Sequence, residues 1–366
     1  MRVCVVGSGV AGAMLSWRLA QQPAVSQLTL APGLTGEAGV PDATGVSGGA
    51  IRCFEIAPEQ RRLAIDSMAE LAVDPLLREW SGYTRCGSVY LPADASELAA
   101  AATEIEAVLP GSAVVLDAAG LARRGWAGLD PAVRGLFEAE AGYLSPHRLR
   151  QSVLADLARR RRIRLLPAGP IDDLGPGRFT LAGRSHSYDL LVLAAGGWTP
   201  GLLRRHGFEA TGLRTKVIQY TVHPASGVPS TVFVDDLSDL FGKPVPGGVL
   251  LGLPTQAWDV EPAVRQPDLA LSRAAAERAV LRFPGLRMRS AATPVTALDC
   301  YAEDGMLALR PVAGSDGRLF TFTGGTGSAA KTVLAASLRA ATQLATSAEN
   351  PALASPPLIG RSLQSS

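Results

Sequence analysis

Lysine is the scarcest charged residue of this chain: three, Lys216, Lys243 and Lys331, stand among 366 residues, and arginine supplies nearly all other basic charge. The formal net charge is +2, which gives no electrostatic basis for a nucleic-acid partner. One basic run, Arg159–Arg162, ends a predicted helix, where cations complement the dipole. Cysteine is equally sparse: Cys4, Cys53, Cys86 and Cys300 are dispersed and form no C-x-x-C pair. The four histidines, His147, His186, His206 and His223, show no metal-ligand spacing. A disulfide framework and a metal centre are therefore excluded, and a reduced, cytoplasmic protein is expected. No apolar run approaches a membrane span, and the first is too short and glycine-rich for a signal peptide.

What the chain does have begins at residue 2. Arg2-Val3-Cys4-Val5-Val6 reads as a buried strand, followed by Gly7-Ser8-Gly9-Val10-Ala11-Gly12 and a helical pattern from Ala13 to Ala20. This is a dinucleotide-binding fingerprint between the strand and helix it requires. Gly7 permits the tight turn, Gly9 lets backbone approach a pyrophosphate, and Gly12 lets the helix lie close on the strand. The first-turn N–H groups and the helix dipole then face the phosphates, with Val10 and Ala11 beside them.

Three stretches read as one nucleotide-binding layer: residues 1–55, 143–206 and 298–347. The first adds a strand at Leu28–Ala31. In the second, Ser145 caps a helix opened by Pro146, with strands at Ile163–Leu166 and Leu190–Ala194. The third has a strand at Leu319–Phe322 and a long helix after Gly327. Two insertions, 56–142 and 207–297, carry helices and β-patterned runs at Ser88–Leu91, Val217–Val222, Thr231–Val234 and Val249–Leu253. The fold class is therefore α/β: a Rossmann-like dinucleotide-binding domain with an interleaved α+β substrate domain built on an antiparallel sheet. Residues 348–366, rich in proline and serine, read as a disordered tail. Gly45-Val46-Ser47-Gly48-Gly49 matches G-x-S-x-G, but no strand precedes it, so a hydrolase elbow is not expected.

Further motifs follow in a fixed order. Ser47-Gly48-Gly49-Ala50-Ile51-Arg52 comes first. Leu190-Leu191-Val192-Leu193-Ala194-Ala195-Gly196-Gly197-Trp198 is a strand ending in small residues. Asp304-Gly305-Met306 precedes another strand, and Thr323-Gly324-Gly325-Thr326-Gly327-Ser328 opens the last helix. Together these resemble the D-amino-acid oxidase superfamily of FAD enzymes, and within it the sarcosine oxidase, N-methyltryptophan oxidase and glycine oxidase branch, over roughly residues 1–346.

The resemblance implies FAD as cofactor and a small-molecule amine or amino acid as substrate, oxidised at its C–N bond to the imine. It places Gly7, Gly9, Val10, Ala11 and Gly12 on the pyrophosphate. Ser47, Gly48, Gly49, Ala195, Gly196 and Trp198 fall beside the flavin. Gly324, Gly325, Thr326, Gly327 and Ser328 fall at its pyrimidine end, where a helix N-terminus stabilises the reduced ring. Arg52 is the expected anchor of a substrate carboxylate, a guanidinium fork matching a planar anion. Lys331 is the second candidate, and Tyr220 and Trp258 are expected pocket walls. Three departures stand out. Ala31 or Pro32 replaces the acid that binds the ribose, leaving Glu37 as a substitute. Residues 252–258 carry no lysine, so slow reaction with oxygen is expected. Cys300 is misplaced for covalent attachment, so FAD is expected to bind non-covalently. The alternatives are a flavin monooxygenase or halogenase, which shares the first motif, and a FAD-fold scaffold.

Overall fold

The computed structural model describes residues 1–33, 40–263, 265–327 and 329–349. In chain order the elements that position the site are β1 (Arg2–Val6), α1 (Val10–Leu19), β2 (Gln27–Ala31), α2 (Pro58–Val73), α3 (Pro146–Ala158), β3 (Ile163–Leu165), β4 (Leu190–Leu193), β5 (Leu213–Ser226), β6 (Gly248–Gly252), β7 (Thr293–Ala302), β8 (Leu307–Pro311), β9 (Leu319–Gly324) and α4 (Ala329–Glu349). Six of them form a sheet in the order β8-β9-β4-β1-β2-β3. Its pairings are parallel except that of β8 with β9. Three separated stretches of chain thus return to one sheet, with β1 near its centre.

Successive side chains of a strand face opposite ways, and β1 uses both faces. Val3 and Val5 join a core with Met14 and Leu15 of α1, Leu63 and Met68 of α2, and Val333 and Leu344 of α4. Cys4 and Val6 pack on the other side with Leu191, Leu193, Phe179 and Leu181. The last two belong to a three-stranded antiparallel meander, Ile171–Gly175, Arg178–Leu181 and Arg184–Ser187. The sequence reading missed it, because Asp172, Asp173, Gly175 and Pro176 interrupt the apolar alternation. Gly177 and Gly183 make its turns at φ +64° and +74°, a region costly for side-chain-bearing residues.

A second, larger sheet contains β5, β6 and β7. It is antiparallel except where Ser88–Leu91 runs parallel to Val232–Asp235. β5 is longer than the expected Val217–Val222: it has 14 residues, and its Leu213–Val222 part pairs with β7 from Leu213↔Ala302 to Val222↔Thr293. The expected tail lies, from residue 350 onward, outside the described residues. Among the described residues, no helix is long and apolar enough to cross a membrane.

Candidate active site

The carboxyl ends of β1, β4 and β9 open on one cavity of about 370 Å³, lined by backbone and small side chains from each. Ligands of open parallel sheets bind at such ends, where the chain order reverses. The β1 turn is built tightly. The Gly7 amide donates to Ala31 O at 2.8 Å, and the Ala194 amide donates to Val6 O at 2.7 Å. Gly7 sits at φ +112°. A Cβ on Gly12 would stand 1.9 Å from Gly7 O, so Gly12 serves the contact between helix and turn rather than the cavity wall.

Of the residues expected at the cofactor, Gly7, Gly9, Val10, Ala11, Ser47, Ala195, Gly196, Trp198, Gly324 and Gly327 line the cavity. Gly48 and Gly49 stand behind the wall: a Cβ on Gly48 would meet Leu250, and one on Gly49 the Leu144 carbonyl. Gly325 and Thr326 border a second, much smaller cavity that also touches Lys331. Ser328 and Glu37 lie outside the described residues.

The cavity lining has what an extended dinucleotide requires, glycines, small side chains and a helix N-terminus. It runs from Pro32 and Gly33, past the N-terminus of α1, to Thr323 and Gly324. A Cβ on Gly196 would meet no protein atom within 4 Å and would project into the space. The Val10 amide donates to Thr44 Oγ1 at 3.0 Å, while the following first-turn amides have no acceptor within the helix. Arg150 of α3 bonds Asp42 at 3.0 Å, and both line the cavity. The sequence reading passed over this pair, because 108 residues separate its members.

Arg52 and Lys331 depart from expectation. Neither lines the main cavity. Arg52 Nη2 lies 3.1 Å from Glu55 Oε1, and its guanidinium stands 4.9 Å from the Tyr90 ring centroid. Lys331 Nζ contacts the same Glu55 oxygen. The expected free guanidinium fork is therefore a buried Arg52–Glu55–Lys331 triad. Burial alone would raise the Glu55 carboxyl, but Lys331 and Arg52 overcome it and hold the group below its ordinary value. Burial, assisted by Arg52, pushes Lys331 down to about 8 against the pull of Glu55.

Two buried residues fix this segment. Glu138, 1% exposed, accepts the Cys53 and Phe54 amides at 2.6 and 2.9 Å. Arg61 of α2, also 1% exposed, donates to Glu55 O at 2.9 Å and pairs with Glu104. Neither was singled out in the sequence, where a lone acid or arginine in a mixed pattern carries no signal of burial.

Above the cavity run β5 and β7. Tyr220 does not line the cavity; its hydroxyl donates to Val46 O at 2.5 Å and ties β5 to the Ser47 loop. Trp258 is also set back, edge-on to Tyr301 at 5.1 Å. Lys216 bridges to Trp258 and puts its ammonium 4.4 Å from that ring centroid. Lys216 thus stands beside the Trp258 end of the lysine-free segment 252–258 and, like Trp258, does not line the cavity. Cys300 is buried and off the cavity wall, and burial pushes its thiol up to about 12, a state unsuited to nucleophilic attachment.

One acid on the wall was not anticipated. Asp299 of β7 lines the cavity, and burial pushes its carboxyl up to about 6. The available signal was its setting: an aspartate inside the apolar strand Ala297-Leu298-Asp299-Cys300-Tyr301.

Residues 2–343 match the family described as FAD dependent oxidoreductase. No curated protein sequence matches the chain. Among solved structures it resembles glycine oxidase from Bacillus cereus ATCC 14579, at 15% identity and TM-score 0.70, over 99% of both chains. Glycine oxidase from Geobacillus kaustophilus gives 19% and 0.70 over 94% of both. L-proline dehydrogenase from P. horikoshii gives 14% and 0.72 over 94% of this chain and 92% of that one. At these identities the likeness establishes the fold.

Proposed function

The chain belongs to the FAD dependent oxidoreductase family, and from that premise we propose that it oxidises the C–N bond of a small amine or amino acid to an imine. The observation that carries this reading is the family match joined to a glycine-built cavity at the ends of β1, β4 and β9. The named substrates of the solved relatives, glycine and L-proline, are both amines. FAD, when bound, supplies a two-electron acceptor for a hydride equivalent from the carbon bearing nitrogen.

The protein's own residues bind and enclose. The turn Gly7–Gly12 and the N-terminus of α1 would hold the diphosphate, non-covalently. Ser47, the Ala195–Trp198 segment, Gly324 and Gly327 would hold the flavin. Tyr220 holds the Ser47 loop to the roof, and Trp258 backs Lys216. The substrate loses two electrons and two protons in all, and water then hydrolyses the imine to a carbonyl compound. Turnover of a panel of primary and secondary amines and amino acids with a dye acceptor tests the reading. One carbonyl product per dye molecule reduced is expected. Dye reduction without carbonyl, or no turnover of any C–N donor, contradicts it.

A further inference from the structure

Five charged residues line the main cavity: Asp42, Arg150, Arg205, Glu261 and Asp299. Asp42 and Arg150 neutralise each other. Arg205 and Glu261 are exposed. Asp299 is different. It is only partly exposed, and one carboxylate oxygen, Oδ1, accepts the Cys300 amide at 2.9 Å. Among the described residues no cation pairs with it. Its partner across the strands is Lys216, yet the Lys216 ammonium lies over the rings of Trp258 and Tyr301, 4.4 and 5.5 Å from their centroids.

The second observation is independent. The two cations best placed by sequence to receive a carboxylate, Arg52 and Lys331, are both occupied by Glu55 and stand off the cavity wall. Among the described residues, the less exposed part of the wall therefore presents an unpaired carboxylate, while the one unpaired guanidinium of the lining, Arg205, is exposed. A carboxylate placed beside Asp299 would meet like charge where water is scarce, whereas an ammonium would satisfy the free oxygen.

We propose that Asp299 is the residue that recognises the substrate, by its cationic amine, and that the preferred substrates are amines without a carboxylate on the carbon to be oxidised. This rests on the C–N oxidation proposed above and narrows its substrate class. Asp299 acts from the β7 wall, so it selects and orients the amine.

The test uses FAD-loaded enzyme and matched probes: sarcosine against N-ethylmethylamine, in which a methyl replaces the carboxylate, and larger alkyl and aryl pairs built the same way. Perturbation of the flavin spectrum reads binding, and anaerobic bleaching reads oxidation. The amine of a pair should bind at least about tenfold more tightly than its carboxylate partner. Asp299→Asn should weaken amines at least about tenfold with FAD content unchanged, and Asp299→Glu should restore part of the loss. Carboxylates binding as tightly as their amines, Asp299→Asn leaving amine affinity unchanged, or no amine binding at all would overturn the assignment. Should Asp299→Asn fail to fold, the wild-type comparison within pairs still decides. Amines that bleach the flavin regardless of Asp299 overturn this inference alone. Amines that bind through Asp299 without ever bleaching it overturn the C–N oxidation and leave the recognition standing.

Discussion

At the scale of the residue, the Arg52–Glu55–Lys331 triad shows what one buried carboxylate does for two cations. Removing Glu55 takes the contacting carboxylate from both, whereas removing Lys331 leaves a one-to-one pair of Glu55 with Arg52. Stripping one partner from a buried pair costs about 3–5 kcal/mol, chiefly through the charge left behind. Glu55→Gln should therefore destabilise the protein by about that amount, and Lys331→Met by distinctly less, as read by denaturant unfolding. Equal losses would contradict the shared-carboxylate account. Asp299 makes a pH-dependent prediction. Its carboxyl lies near 6 in the fold and at 3.8 ordinarily, so the folded chain holds the extra proton between these values. Its favourable contribution is complete below 3.8 and lost as pH rises through 6. Asn keeps the acceptor for the Cys300 amide without the charge. Asp299→Asn should thus melt above wild type at pH 7.5 and lose most of that advantage by pH 4.5. The identity of Arg52 as the arginine of its segment was legible in the sequence, but its partner was not. Spacing of three residues does not say which way a loop turns a guanidinium, and only the clamp by Glu138 and Arg61 settles it.

At the scale of the element, the β1–α1 turn was the most legible part of the chain, because each glycine answers a separate steric demand. Those demands predict opposite phenotypes. A Cβ on Gly9 would meet only Thr44 Oγ1 at 3.2 Å, whereas one on Gly12 would collide with Gly7 backbone at 1.9 Å. Gly9→Ala should fold with a near-normal apoprotein melting temperature and retain little FAD. Gly12→Ala should lose about 1–3 kcal/mol of stability by overpacking. Calorimetry of the apoproteins and flavin content of the purified variants check both, and a stable Gly12→Ala with full FAD would contradict the assignment. Long elements with regular periods were also readable: α3 behind Ser145, β9, and α4 after Gly327. The meander at 171–187 was not, since its acidic and glycine residues hide the alternation and its role appears only when Phe179 and Leu181 meet β1 and β4.

At the scale of the whole molecule, the sequence shows the order of motifs but not how their segments share walls. β1, β4 and β9 are separated by well over a hundred residues, yet their ends make one cavity. The roof strands β5 and β7 contribute to it from a second sheet. That assembly decides which charges face the cavity. Arg52 and Lys331, attractive by motif, are turned onto the buried Glu55, while Asp299, silent by motif, lines the cavity. The central claim is that this cavity holds FAD and passes it electrons from a C–N bond. The most direct measurement is the visible spectrum of purified protein, taken without oxygen before and after addition of amines and amino acids. The account predicts a flavin spectrum, FAD released to the supernatant on denaturation, and bleaching by at least one C–N donor with one substrate consumed per flavin. A protein that binds no FAD would contradict it. So would a flavin that every C–N donor leaves oxidised but a reduced nicotinamide bleaches, the behaviour of a monooxygenase.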